Sequence, residues 1–314
     1  MVDLSILGDH FAAMLLASGP TSKPLLQDQL SEWQNVNADA YIDPDRLKLF
    51  CLSSGLPLYS STQGLVNICE NLDWKRTFAL HFWYLLSPVS SIADIINKYE
   101  VAFESSEPYA CRPSPPYSDE VQTTKGKYIH DLCFHLLKLY CFKSHPLEEI
   151  LNPATHSPDP LDYRLSWLLE KVLASLGYVH VSELSSSITC VSFASQLEAY
   201  GLWHWAIFVY LHLVDHFRRK QAVIEMIGRH VVLTDDRELT NEEEFVVGEL
   251  GVPAEWIYRA KATKALSQFR YHDATYYLTQ AKEWNEAHQV IIQHIAADEV
   301  INGKLKSFER TNSP

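Results

Sequence analysis

The chain is poor in glycine, with 11 in 314 residues, and it has no cysteine pair at C-x-x-C spacing. Scarce glycine argues against a sheet with many tight turns, which rely on that residue for left-handed positions. The six cysteines stand at 51, 69, 111, 133, 141 and 190. In a chain this long such scatter argues against a disulfide framework and points to a reducing compartment, cytosol or nucleus. Cys133 and Cys141, in an apolar helical run, read as small core residues. Cations are short as well: 26 Lys and Arg face 39 Asp and Glu, for a net charge of −13. A phosphate-backbone binder needs clustered cations. The one basic knot, Arg218-Arg219-Lys220, reads as a helix end or a solvated surface. No direct nucleic-acid binding is expected.

Long apolar runs are missing too. The most apolar stretches, 78–86 and 206–214, are far shorter than a membrane span and contain His81 and His212. A soluble protein without membrane insertion is expected. Met1-Val2-Asp3-Leu4-Ser5 carries no basic region leading into an apolar core, which predicts no signal peptide. The patterns G-x-x-x-x-G-K-[ST], G-x-G-x-x-G and G-x-S-x-G do not occur, so the common phosphate-loop, dinucleotide and nucleophile-elbow readings fall away.

What is present is helical periodicity over a 47% hydrophobic chain, ample for one large core or two modest ones. Residues 4–17 place Leu4, Leu7, Phe11, Met14 and Leu15 on one stripe ending near Gly19-Pro20. Helices are predicted from Pro24 through Trp33, over 44–52 with Gly55 and Pro57 as the stop, over 65–72 and 74–86 as a hairpin, and over 92–103 behind Ser90 or Ser91. Residues 104–126 hold four prolines among polar residues and read as a mobile surface loop. A helix at 128–142 follows, then a second break at 144–160 with four more prolines and a short turn at 147–151. Further helices are predicted near 161–176, 190–200, 203–217 and 219–228. Thr240-Asn241-Glu242-Glu243 has capping-box spacing and opens a short helix, followed by 254–269, 271–281 and 284–295. Residues 179–181 and 188–191 are strand-like scraps, too few for a sheet. The whole reads as an all-α domain over 1–298 with a polar end at 299–314.

Three tryptophans recur just after a helix–turn break, each with a small residue three positions later: Trp74 with Thr77, Trp203 with Ala206, Trp284 with Ala287. Such a signature suits stacked helical hairpins, where the indole fills the gap beside a turn and the small residue lets the next helix approach. The Trp spacings, 129 and 81, exclude a strict tetratricopeptide array.

Candidate chemistry is thin. His212 and His216 lie four apart with Asp215 beside them, but no third ligand can be assigned and H-E-x-x-H is absent, so a helix face meeting a neighbour or water is the plainer reading. Asp235-Asp236-Arg237-Glu238 resembles part of an aspartate-rich magnesium motif without the second motif such sites need, and reads as a solvated acidic loop. Phe82-Trp83-Tyr84 and Tyr276-Tyr277 read as core aromatics. Ser87, Ser114, Ser157 and Ser313 precede proline; Ser114 and Ser157 fall in predicted loops within reach of a proline-directed kinase. No catalytic residue, metal ligand or cofactor is assigned.

Three segments carry a resemblance: residues 71–86 around Asp73-Trp74-Lys75-Arg76-Thr77, 201–211 around Trp203-His204-Trp205-Ala206, and 281–291 around Trp284-Asn285-Glu286-Ala287. In this order they resemble the nucleoporin-96 family, the carboxy-terminal product of a self-cleaving nucleoporin precursor, from near the start to about Asp298. The resemblance implies an irregular α-solenoid of the ancestral-coatomer-element type that doubles back on itself. It also implies a place in the Y-shaped coat of the nuclear pore at the nuclear envelope, with pairing to a second helical nucleoporin through a crown region and to a WD-repeat propeller. Its activity would be architectural, supporting mRNA export and protein import. Two departures stand out. The segment that family members insert into the propeller as an extra blade is absent, which argues against propeller binding by that route. The polar residues 303–314 do not resemble the family's further helical tail, and a fragment, a short isoform or an incomplete gene model would each fit. The Leu7, Phe11 and Leu15 stripe is the nominated partner surface, against ordinary core. The alternative function is a vesicle-coat or adaptor solenoid at endoplasmic reticulum exit sites; the third, a metal-dependent helical enzyme, would need His212, His216, Asp235 and Asp236 to meet.

Overall fold

Local signals set most of the helix ends. In a computed structural model describing residues 22–86, 89–117 and 128–301, fifteen α-helices are found among the described residues, with one two-stranded hairpin. Two compact units divide the chain, Met1–Pro160 and Leu161–Pro314.

In the first unit, α1 (Lys23–Asn35) carries Pro24 in its first turn, and α2 (Pro44–Ser54) starts on an Asp43 cap that accepts from the Asp45 and Arg46 N–H groups. Gly55 ends α2 at φ 76°, where the Tyr84 carbonyl oxygen would stand 3.1 Å from an added Cβ. The predicted helix over 65–72 is not formed. Leu58–Ser61 (β1) and Gly64–Asn67 (β2) pair antiparallel instead, with Tyr59 opposite Val66. Buried Asp39 fixes this turn by accepting from the Thr62 N–H and hydroxyl, both at 2.8 Å. The Thr62 bonds hold its carboxyl below the usual range against the opposing effect of burial. The Tyr59 hydroxyl donates to the Leu30 carbonyl, and Leu30, Leu47, Cys51 and Tyr59 form one small core.

α3 (Trp74–Leu80) runs into a π-turn at His81–Leu85, and α4 (Ile92–Glu104) opens on a complete Ser91/Asp94 capping box. α5 (Leu132–Cys141) and the short α6 (Leu147–Ile150) follow. Trp74, Ile96, Tyr99, Phe103 and Phe134 make the second core of this unit. Residues 105–117, expected as surface loop, are packed: Ala110, Pro113 and Pro115 are buried, the Tyr99 hydroxyl donates to the Cys111 carbonyl, and the Tyr117 hydroxyl donates to the Ala154 carbonyl. Proline suits this run because it needs no partner for a backbone N–H.

The second unit is more regular. α7 (Arg164–Ser175), α8 (Glu183–Ala199), α9 (Trp203–Tyr210), α10 (His216–His230), α11 (Asn241–Gly248), α12 (Ala254–Ser267), α13 (Tyr271–Gln280) and α14 (Trp284–Val290) follow one another, and α14 continues through a π-turn into α15 (Ala296–Ile301). Successive helices pack as hairpins, α8 on α9, α12 on α13 and α13 on α14. The result is an all-α, solenoid-like fold. Residues 188–191 lie inside α8 rather than in a strand, and α8 starts well before residue 190 because Ser182 caps it. The core runs from Trp167 and Ala206 through Ile207, Val223 and Ile227 to Val246 and Ile257. Among the described residues no helix is long and apolar enough to cross a membrane.

Candidate functional site

The three Trp segments share one backbone device, although the first is not a helical hairpin. Asn71, Gly201 and Lys282 have left-handed φ of 60°, 78° and 63°, and Trp74, Trp203 and Trp284 are each the first residue of the next helix. Gly201 and Lys282 each end one helix and re-aim the chain for the next, whereas Asn71 follows the β2 turn, so Trp74 opens α3 with no helix before it. The small partners Thr77, Ala206 and Ala287 are all buried. The indoles are not equivalent. Trp74 packs edge-on to Phe134 and Trp203 stacks on His230 at an interplanar angle of 6°. Trp284 is 64% exposed, so at the third hairpin the expected gap-filling indole is replaced by close approach at Ala287 alone. Trp83 is exposed as well, unlike Tyr277.

The nominated metal residues do not meet. The helix expected over 203–217 ends at Tyr210, so His212 and His216 have no common helical register. His212 bonds the Phe208 carbonyl through Nδ1 and packs edge-on to Trp167, while His216 opens α10 beside the capping Asp215. The Asp235-Asp236 run lies in a segment tied down from behind. The Asp235 side chain is fully exposed, 3.5 Å from Arg270. Arg237 pairs with Asp273 at 2.9 Å, Lys261 Nζ donates to the Glu238 carbonyl at 2.9 Å, and Lys264 Nζ donates to the Val231 carbonyl at 2.6 Å. At its base is a buried ion pair: Lys261 and Glu243, 0% and 1% exposed, stand 2.7 Å apart. Glu243 is also the capping-box acid of α11, accepting from the Thr240 N–H.

The structure gathers other groups instead. His135 Nδ1 lies 3.0 Å from His145 Nε2 and 3.9 Å from a Glu149 carboxylate oxygen. Among the described residues this is the cluster whose atoms could share a metal ion. Burial first, then neighbouring cationic groups, pushes His135 down to about 4; burial also brings His130, ring against ring with His135, to about 4. No spacing rule exposes this set, because α5 and the segment before α6 meet only through the fold.

Two surfaces of the second unit could receive a partner. A groove of 610 Å³ between α10 and α12 is lined by Lys220, Arg229, Arg259 and Lys264 around Trp256, with no carboxylate among its described lining. The other is apolar. On α7 and at its end, Leu165, Leu168, Val172 and Leu176 follow helical spacing and are 42–68% exposed. α7 turns its opposite face inward, burying Trp167 and Leu173 together with Ser166 and Glu170. Glu170 is held there by the Ser186 hydroxyl at 2.7 Å and Lys171 at 2.9 Å. A stripe that could serve as core is thus left on the surface while polar groups are buried, the signature of an interaction face. The sequence nominees Leu7, Phe11 and Leu15 lie outside the described residues.

Stacked helical hairpins define an all-α, solenoid-like protein. The family profile described as Nuclear protein 96 matches residues 5–264. The chain is 46% identical over 291 residues to the Drosophila melanogaster nuclear pore complex protein Nup98-Nup96, covering 93% of this chain and 15% of that protein. It is 30% identical over 322 residues to the Dictyostelium discoideum protein of that name, again spanning 15% of it. To the Arabidopsis thaliana nuclear pore complex protein NUP96 it is 27% identical over 319 residues, covering 94% of this chain and 28% of that protein. The chain belongs to the nucleoporin-96 family.

Proposed function

We propose that the chain is a structural segment of the nuclear pore complex, located at the nuclear envelope, that works by helix–helix docking within the Y-shaped coat and thereby supports mRNA export and protein import. It performs no chemistry in this role. The observation carrying the reading is the exposed apolar stripe of α7, Leu165, Leu168 and Val172 with Leu176 at its end. Such a face gains by burial at about 25 cal/mol per Å² of apolar area and suits the helical surface of a second coat nucleoporin better than a charged ligand. Ser114 and Ser157 remain candidate regulatory positions, both half-buried in non-helical segments; phosphopeptide mapping that finds them unmodified through the cell cycle removes them.

Fluorescently tagged chain is expected at the nuclear rim. Puncta at endoplasmic reticulum exit sites would instead support the vesicle-coat reading and overturn this one.

A further inference from the structure

We propose that His135, His145 and Glu149 form a binding site for one divalent transition-metal ion, zinc by the chemistry of its donors. Two imidazoles and a carboxylate are a zinc ligand set, with a fourth position left for water. Ligands held tetrahedrally at about 2.0–2.1 Å from zinc stand roughly 3.3 Å apart. The His135–His145 separation of 3.0 Å and the His135–Glu149 separation of 3.9 Å bracket that value, and the three ligand atoms all lie within 4.8 Å of one another. Without metal, one imidazole donates its N–H to the other. A metal ion takes the place of that shared proton once the donor ring moves its hydrogen to its second nitrogen, so both lone pairs face the ion.

The surroundings favour a cation. His135 and Glu149 line a cleft of 170 Å³, wide enough for an ion and its water, whose wall also carries Glu100 and Glu104. The cation in this wall, Lys138, is held by both Glu100 carboxylate oxygens at 2.7 and 3.0 Å. A bound ion would clip α5 to the segment leading into α6, adding a cross-link to a unit whose cores are small.

The test uses tag-free chain stripped with chelator, then titrated with Zn²⁺ by calorimetry and with Co²⁺ as a spectroscopic stand-in. One equivalent of zinc, a tetrahedral cobalt spectrum and a zinc-dependent rise in Tm are expected. His145→Gln and Glu149→Gln should each weaken zinc binding by about 100-fold or more, since even loss of a supporting partner costs 10–100-fold. Glu149 is partly exposed, so its variant serves if the buried His145 change unfolds the protein. Absence of an equivalent at micromolar zinc, an octahedral cobalt spectrum, or affinity unchanged in Glu149→Gln overturns the site, whatever the chain's role at the pore.

Discussion

Lys261→Met is the substitution whose consequence the structure fixes most sharply. It preserves the length and apolar stem of the side chain and removes only the charge. Glu243 would then remain 1% exposed with its carboxylate lacking the ammonium now 2.7 Å away. At that distance and an effective dielectric near 20 the pair attracts by about 6 kcal/mol, most of it offset by the desolvation of two ions. Removing one partner leaves the desolvation of the other uncompensated, so the expected loss is about 3–5 kcal/mol. The Glu238 carbonyl also loses its Lys261 donor, which loosens the segment there while Lys264 still holds the Val231 carbonyl. In Lys261→Met/Glu243→Gln the buried charge is gone, while the amide still accepts from the Thr240 N–H, so more than half of the loss should return. Urea unfolding followed by tryptophan fluorescence at neutral pH measures both. A single variant within about 1 kcal/mol of the parent, or a double variant no better than the single, would refute the reasoning.

Other expectations follow from the same structure. Ala206→Leu, at a position with no free space, should cost about 1–3 kcal/mol, and Trp203→Ala about 3–5, whereas Trp284→Ser should stay within about 0.5 in the same assay. Gly55→Ala forces a left-handed φ of 76° on alanine close to the Tyr84 carbonyl, and a loss of about 1–2 kcal/mol in urea unfolding is expected. His130 and His135 have folded values near 4 against an ordinary 6.5, so the unfolded chain binds more protons between those limits. Metal-free protein should therefore keep full stability above pH 6.5 and lose it as pH falls toward 4, by up to about 3 kcal/mol for each imidazole. His130→Phe should flatten that limb in pH-dependent melts.

Local chemistry made much of the fold readable in advance. The Thr240/Glu243 box, Pro44 and Gly55 mark helix ends through contacts within a turn, each where the spacing places it, and of the two caps left open, Ser90 or Ser91, it is Ser91 that forms a box with Asp94. Elements fixed at long range were not readable. β2 takes residues with helical periodicity because Asp39, far away in sequence, captures Thr62 at the turn. The apolar stripe of α7 has the periodicity of a core face, yet the helix buries Ser166 and Glu170 with Leu173 and exposes Leu165, Leu168 and Val172, with Ser186 on α8 as a polar partner of Glu170. His145 and Glu149 stand four apart, but His145 precedes α6 and His135 joins them from α5 only through the fold. His212 and His216 failed as a pair because one helix stopped at Tyr210.

The central claim is that the exposed apolar stripe of α7 holds the chain within the pore coat. The direct measurement is affinity purification from nuclear-envelope extract with the parent chain and with Leu168→Asp/Val172→Asp, two exposed positions whose change should leave circular dichroism intact. Recovery of the other coat nucleoporins by the parent, and their loss with the folded double variant, is the predicted result. Equal recovery by both chains, or none by the parent, would contradict it.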